Sequence, residues 1–173
     1  MTSQYLSDKQ VLHLNVGFLL KEGVGSTRTF AFDKERLVAQ DVELHHLQGK
    51  LSLTRTTQGI LLQGRLDAET VAECVRCLSE TLAPVELELS EHFIYPPWTA
   101  KDGELTVSEG GLIDLTPLVR EDTILAIPMH VLCQPQCRGL CSQCGQNLNE
   151  GQCDCDHSAI DPRFAVLKSL LDD

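Results

Sequence analysis

The chain has 173 residues, 42% of them hydrophobic, which is enough for one core or for one domain with a small appendage. Its formal net charge of −11 argues against naked nucleic acid as the main ligand, because such binding rests on neutralising phosphates. No run approaches the ~18 apolar residues of a membrane span, and Met1–Gln10 is polar with no small-residue cleavage site behind an apolar stretch, so no membrane association and a cytoplasmic location are expected.

Leu12, Leu14, Val16, Phe18 and Leu20 alternate with polar or small residues, the period-two pattern of a half-buried strand. Gly23 and Gly25 break it, and Phe30 and Phe32 restart an alternating segment that ends near Asp33. Residues 34–41 are mixed and polar, and they are expected to form a connection. From 42 to 93 the pattern is that of an antiparallel sheet. Leu47, Leu51 and Leu53 lead to a turn at Gln58-Gly59, and Ile60, Leu62, Gly64 and Leu66 return. Cys74-Val-Arg-Cys77 then makes a corner, beyond which Val85, Leu87, Leu89 and Phe93 alternate with Glu86, Glu88, Ser90 and His92.

Residues 94–111 contain Pro96-Pro97-Trp98 and three glycines and are expected to be a long mobile loop. Thr116-Pro117 then predicts a helix start, a hydroxyl cap followed by proline at the first helical position. Leu118, Val119, Leu125 and Ala126 are expected on its buried face, with Pro128 ending it. Asp161-Pro162 repeats the signal, and Phe164, Leu167, Leu170 and Leu171 stripe a second short helix. The expected class is α+β: an antiparallel sheet, open or barrel-like, with two short helices and a Cys-rich, zinc-stapled C-terminal segment. Residues 1–128 would be the mainly β domain with helix 116–127, and 129–173 the metal-binding segment and terminal helix docked on it.

Six of the eight cysteines fall between Cys133 and Cys155, in a stretch whose only large hydrophobic residues are Leu140 and Leu148. So little apolar surface cannot order a segment by packing, and a cross-link must do it. Close-spaced cysteines in a reduced compartment point to a thiolate-bound metal, foremost zinc, rather than to disulfides. Cys141-Ser-Gln-Cys144-Gly145 has the form of a metal knuckle, with glycine permitting the tight turn that aims amides at sulfur. One division of the ligands puts Cys141, Cys144, Cys153 and Cys155 in a local site and Cys74, Cys77, Cys133 and Cys137 in a long-range one, for two Zn2+. The other groups Cys133 and Cys137 with Cys141 and Cys144, giving one ion. His130 and His157 flank the cluster and could replace a thiolate, but each is expected to be an exposed or supporting side chain.

The chain resembles the YceD family, also called DUF177. The resemblance is carried by Glu73-Cys74-Val-Arg-Cys77-Leu78, Ile113-Asp114-Leu115 running into Arg120-Glu-Asp-Thr-Ile-Leu-Ala-Ile-Pro128, and Leu132-Cys133. It continues through Cys137-Arg-Gly-Leu-Cys141, Cys144-Gly-Gln-Asn-Leu-Asn149, Cys153-Asp-Cys155 and Asp161-Pro-Arg-Phe-Ala-Val-Leu-Lys-Ser-Leu170. It implies a role in accumulation of large-subunit 23S ribosomal RNA, and so in ribosome biogenesis, and it brings no catalytic residues.

Between Asp102 and Asp161 ten acidic residues face only Arg120 and Arg138, so the expected partner is a basic ribosomal protein or a pre-ribosomal particle. Direct RNA binding by zinc knuckles would want aromatics and arginines around them. A small zinc-stapled interaction domain of another role is the third reading. Enzymatic function is not expected: no His-x-Glu accompanies the cysteines as a zinc deaminase requires, and no Gly-x-Ser-x-Gly is present.

Overall fold

The structure is a computed structural model that describes residues 12–155. Four long strands, β2 (Thr27–Ala39), β3 (Val42–Arg55), β4 (Gly59–Glu73) and β5 (Glu80–Ile94), form an antiparallel meander in the order β2-β3-β4-β5. A two-stranded sheet pairs β1 (His13–Asn15) with β6 (Leu112–Asp114), and one helix, α1 (Thr116–Ala126), follows. The main sheet is open rather than barrel-like, since β2 and β5 are both edges. Near Ile94 the β5 edge is covered by the chain itself: Ile94 donates to the Leu105 carbonyl and Val107 donates back to Ile94.

One face of the sheet carries the core, with Leu44, Leu47, Leu51, Leu53, Leu62 and Leu66 fully buried and Leu87 and Val119 packed among them. At two inward positions of the β3–β4 pair the neighbouring backbone leaves no room for a side chain. A methyl group at Gly49 would lie 2.2 Å from the Arg65 carbonyl oxygen, and one at Gly64 would lie 2.2 Å from that of Lys50. Any other residue would force the paired backbones apart.

Four expectations are corrected. Residues 34–39 are the second half of β2, not a connection; the turn is only Gln40-Asp41. β2 is an edge strand, and edges carry charges such as Lys34, Glu35 and Arg36 that break the apolar alternation. The strand expected from Leu12 stops at Asn15, because Asn15 Oδ1 accepts from Gly17 N and the chain coils into a 3-10 turn at Leu19–Lys21. That turn buries Leu19 and leaves Phe18 exposed.

In α1 the buried residues are Thr116, Leu118, Val119 and Thr123, while Leu125 is 82% exposed. Leu115, not Thr116, is the cap. The Thr116 hydroxyl instead accepts the Leu12 N–H at 2.9 Å, and the Asp114 carboxylate accepts the Thr116 N–H. Arg120 on α1 grips the β2–β3 turn through Asp41, with Nη2 2.9 Å from Oδ2 and Nε on Oδ1, which holds the Asp41 carboxyl below its ordinary range. Past the end of β5 at Ile94, residues 95–111 hold a 3-10 turn (Pro97–Thr99) and a bridge from Thr106 back to Ile94, and Val107 within them is fully buried. The expected helix at 161–171 lies outside the described residues. Among the described residues no helix is long and apolar enough to cross a membrane.

Candidate metal centre

The β4–β5 connection, Cys74 to Ser79, lies at the far end of the longest hairpin, and its strands end on Glu73 and Glu80. The backbone closes it with two bonds: Cys74 N donates to Ser79 O and Leu78 N to Cys74 O, both 2.9 Å. After α1 the chain returns to this corner, where Val75 N donates to the Val131 carbonyl at 2.9 Å. Cys133 and Cys137 are thereby delivered to Cys74 and Cys77. A small apolar cluster separate from the main core forms here, with Leu132 and Leu140 packed against the buried Cys74, Cys77 and Cys137.

The four sulfurs of Cys74, Cys77, Cys133 and Cys137 lie within 4.8 Å of one another. Cys74 Sγ is 3.7 Å from Cys137 Sγ, and Cys77 Sγ is 3.6 Å from Cys133 Sγ. A tetrahedron built on metal–sulfur bonds of ~2.3 Å has edges of about 3.8 Å. The spacing therefore fits thiolates around a shared ion and is far too wide for a disulfide. None of the eight cysteines is in a disulfide. Cys141, Cys144, Cys153 and Cys155 form a second group, again with all sulfurs within 4.8 Å. The structure brings together the members of the two-site division, and the grouping of Cys133 and Cys137 with Cys141 and Cys144 is not found. His130 is exposed and belongs to neither group, and His157 lies outside the described residues.

In the second group the knuckle has the expected geometry. The amides of Gln143 and Cys144 each point at Cys141 Sγ at 3.4 Å, and Gly145 N donates to the Cys141 carbonyl at 2.9 Å. Those amides stabilise a thiolate, and they lower the Cys141 thiol to about 6. Cys74 is likewise lowered to about 6, first by the backbone amide of Cys133 and then by those of Cys77 and Arg76. Cys77 is lowered by the Ser79 hydroxyl beside it. Four thiolates cannot crowd together uncompensated, so Cys133 and Cys155 shift the other way. Burial and the neighbouring sulfurs push Cys133 up to about 12, and the Cys144 sulfur and burial push Cys155 up to about 12. A divalent cation would reverse that, deprotonating its ligands outright.

Soft sulfur donors in a closed tetrahedral set suit zinc, and four protein ligands keep no position open for water or substrate. Such a site would fix shape and activate nothing.

Sequence reasoning missed three supporting side chains. The Arg76 guanidinium donates to the Cys137 carbonyl at 2.8 Å, Ser79 sits 3.4 Å from Cys77 Sγ, and Asn149 Nδ2 donates to Cys137 Sγ at 3.2 Å. Arg76 lies between two ligands and Ser79 two residues beyond them, whereas Asn149, midway between Cys144 and Cys153, carries no such signal.

The exposed face of the main sheet is acidic. Asp67 stands directly opposite Glu86, and Glu73 opposite Glu80, with Glu69 between them on β4. The cations on this face include Arg65, which pairs with Glu86 and lies 3.6 Å from Glu88, and Lys50 opposite it on β3.

A profile of the family described as "Large ribosomal RNA subunit accumulation protein YceD" matches residues 62–171. Among curated proteins, the chain is similar to "Uncharacterized protein Rv2926c" of Mycobacterium tuberculosis, 36% identical over 126 residues that cover 70% of this chain and 60% of that protein. It is similar to "Uncharacterized protein YlbN" of Bacillus subtilis, 28% identical over 83% of this chain and 89% of that one. The Arabidopsis thaliana protein "Large ribosomal RNA subunit accumulation protein YCED homolog 1, chloroplastic" is 34% identical over 58 residues, 34% of this chain and 18% of its own length. The chain thus spans about 60% of the length of the mycobacterial relatives it matches. No solved structure matches it.

Proposed function

Because the chain belongs to the family of the large ribosomal RNA subunit accumulation protein YceD, we propose that it is a non-enzymatic factor in large-subunit biogenesis whose shape depends on two structural zinc ions. Cys74, Cys77, Cys133 and Cys137 hold one ion, and Cys141, Cys144, Cys153 and Cys155 hold the other. Residues 129–173 form the metal-dependent part and residues 1–128 the sheet that supports it. The observation that carries the metal assignment is the gathering of all eight thiols into two groups with tetrahedral spacing.

The acidic outer sheet face, with like charges in direct cross-strand register, favours a basic ribosomal protein or a ribosomal precursor particle as partner over bare RNA. The test has two arms. Protein purified in the cytosolic, reduced state without added metal should carry two zinc ions per chain and show no reactive thiol. Sedimentation with ribosomal precursor particles across a salt series should show binding that survives removal of exposed rRNA. One ion with four reactive thiols would refute the two-site assignment. A steep salt slope that disappears with the RNA would transfer the reading to direct RNA binding.

A further inference from the structure

Asn149 is not a candidate ligand, and it lies in the loop that joins Cys144 to Cys153 of the second cluster. Its side chain reaches the first. Nδ2 donates to Cys137 Sγ at 3.2 Å and to Asn147 Oδ1 at 2.9 Å. Oδ1 accepts from the backbone N–H of Arg138 at 2.8 Å and from Gln134 Nε2 at 3.1 Å. The Arg138 amide is a donor only, so it fixes which end of the carboxamide is oxygen and leaves the NH2 end on the sulfur. All the hydrogen-bonding capacity of this side chain is spent on the Cys133–Cys137 turn and on holding its own loop.

The loop is built on the second cluster's framework. Cys141 N donates to Gln146 O, Leu148 N to Gly139 O, and Asn149 N to Asn147 Oδ1. Between the last ligand of one group and the first of the other run only Arg138, Gly139 and Leu140. Leu140 N donates to the Arg76 carbonyl, and a methyl on Gly139 would come within 3.1 Å of that same oxygen. The two clusters are one hydrogen-bonded body.

We propose that Asn149 is a positioning residue that couples the two centres. An ion in the second cluster orders the 145–152 loop, which places the Asn149 N–H on Cys137 and raises the affinity of the first cluster. This rests on the reading that both groups hold metal. A donor to a ligating sulfur stabilises the thiolate and orients it, and loss of such a supporting group costs roughly 10–100-fold in metal affinity. By linkage, an ion in the first cluster must tighten the second by the same factor.

The test uses the full chain, Zn2+ in competition with a chromophoric chelator, and Cd2+ substitution read by cadmium NMR, which gives each tetrathiolate site its own resonance. Asn149→Asp keeps an oxygen for the Arg138 amide but replaces the N–H beside sulfur with a lone pair. It should weaken the first site by about tenfold or more, move that site's resonance, and leave the second resonance in place. Emptying the second cluster with Cys153→Ser and Cys155→Ser should weaken the first site comparably, and adding Asn149→Ala should then do little more. Affinity at the first site within twofold of wild type in Asn149→Asp would overturn the coupling. So would full additivity of Asn149→Ala with the emptied second cluster. A wild-type chain that takes up no ion would instead remove the metal reading beneath it, and circular dichroism of the sheet identifies any variant that fails to fold.

Discussion

Leu78 and Gly145 hold the same position in two matching turns. Each follows the second cysteine of a Cys-x2-Cys, each lies in the left-handed region (φ 58° and 75°), and each donates its N–H to the carbonyl of the first cysteine at 2.9 Å. Glycine adopts that conformation freely, whereas a leucine there carries roughly 1–2 kcal/mol of backbone strain. The Leu78 side chain is 60% exposed, so little packing is lost when it is removed. Leu78→Gly is therefore expected to leave the zinc-loaded protein as stable as before or up to ~1 kcal/mol more stable, after the greater chain entropy of glycine is offset. Gly145→Ala meets open space, so its cost is backbone alone, about 1 kcal/mol. Urea midpoints of the two variants measure both. A loss beyond 1 kcal/mol in Leu78→Gly would mean that the side chain anchors something.

Proton release on metal uptake should follow the thiol shifts. Cys74 and Cys141, lowered to about 6, are thiolates at neutral pH and take up protons only as pH falls through that value. Cys133 and Cys155, pushed up to about 12, keep theirs until an ion displaces them. Zinc entering at neutral pH is expected to release protons, and below pH 6 about one more per ion as Cys74 and Cys141 become protonated, so affinity falls more steeply in acid. Titration calorimetry in buffers of different ionisation enthalpy counts these protons, and uptake without proton release would contradict the assignment.

The close backbone approach at two glycines predicts a third effect. Gly64→Ala sets a methyl 2.2 Å from the Lys50 carbonyl oxygen, and Gly49→Ala does the same against Arg65. Both contacts are with backbone inside a paired ladder, which cannot swing aside as a side chain does. Each change is expected to destabilise by about 1–3 kcal/mol in denaturant unfolding. An effect under half a kcal/mol would mean that the paired backbones can part to admit a methyl.

Asp67 and Glu86 oppose one another on the exposed face. Asp67→Lys converts a like-charge pair to an attractive one and should raise stability by roughly 0.2–1 kcal/mol at low salt, fading at high salt. The same change should weaken binding of a basic protein partner. A more stable variant with unaltered partner affinity would locate the partner's contact elsewhere.

Much of this architecture is legible in the sequence where one physical effect dominates. Val85, Leu87, Leu89 and Phe93 alternate with polar residues because one face of β5 is buried and the other wet, and all four are buried. Short spacings make the thiol pairs legible, but the sequence leaves two groupings of those pairs open, and it is the fold that brings Cys74 and Cys77 to Cys133 and Cys137. The misreadings arise where tertiary context wins. Lys34, Glu35 and Arg36 look like a connection only because an edge strand needs no apolar alternation. Thr116 carries the sequence signature of a helix cap, yet its hydroxyl serves Leu12, 104 residues away in the chain. Leu125 fits an amphipathic stripe, but Thr123, whose hydroxyl bonds back to the Val119 carbonyl at 2.6 Å, takes the inward position. Asn149 left no pattern at all, since its role exists only once two loops are side by side.

The two thiol groups differ in how much chain each encloses. Cys74 and Cys137 are separated by 63 residues, whereas Cys141 through Cys155 form one short run. During translation the first pair leaves the exit tunnel early and must wait, unpaired, while a hairpin strand, the helix and its connections are made. The four thiols of the second group emerge together and can capture an ion with almost no search. Newly made chains starved of zinc would therefore accumulate with the Cys74 and Cys77 thiols open to oxidation, an intermediate that thiol trapping of ribosome-bound chains would reveal.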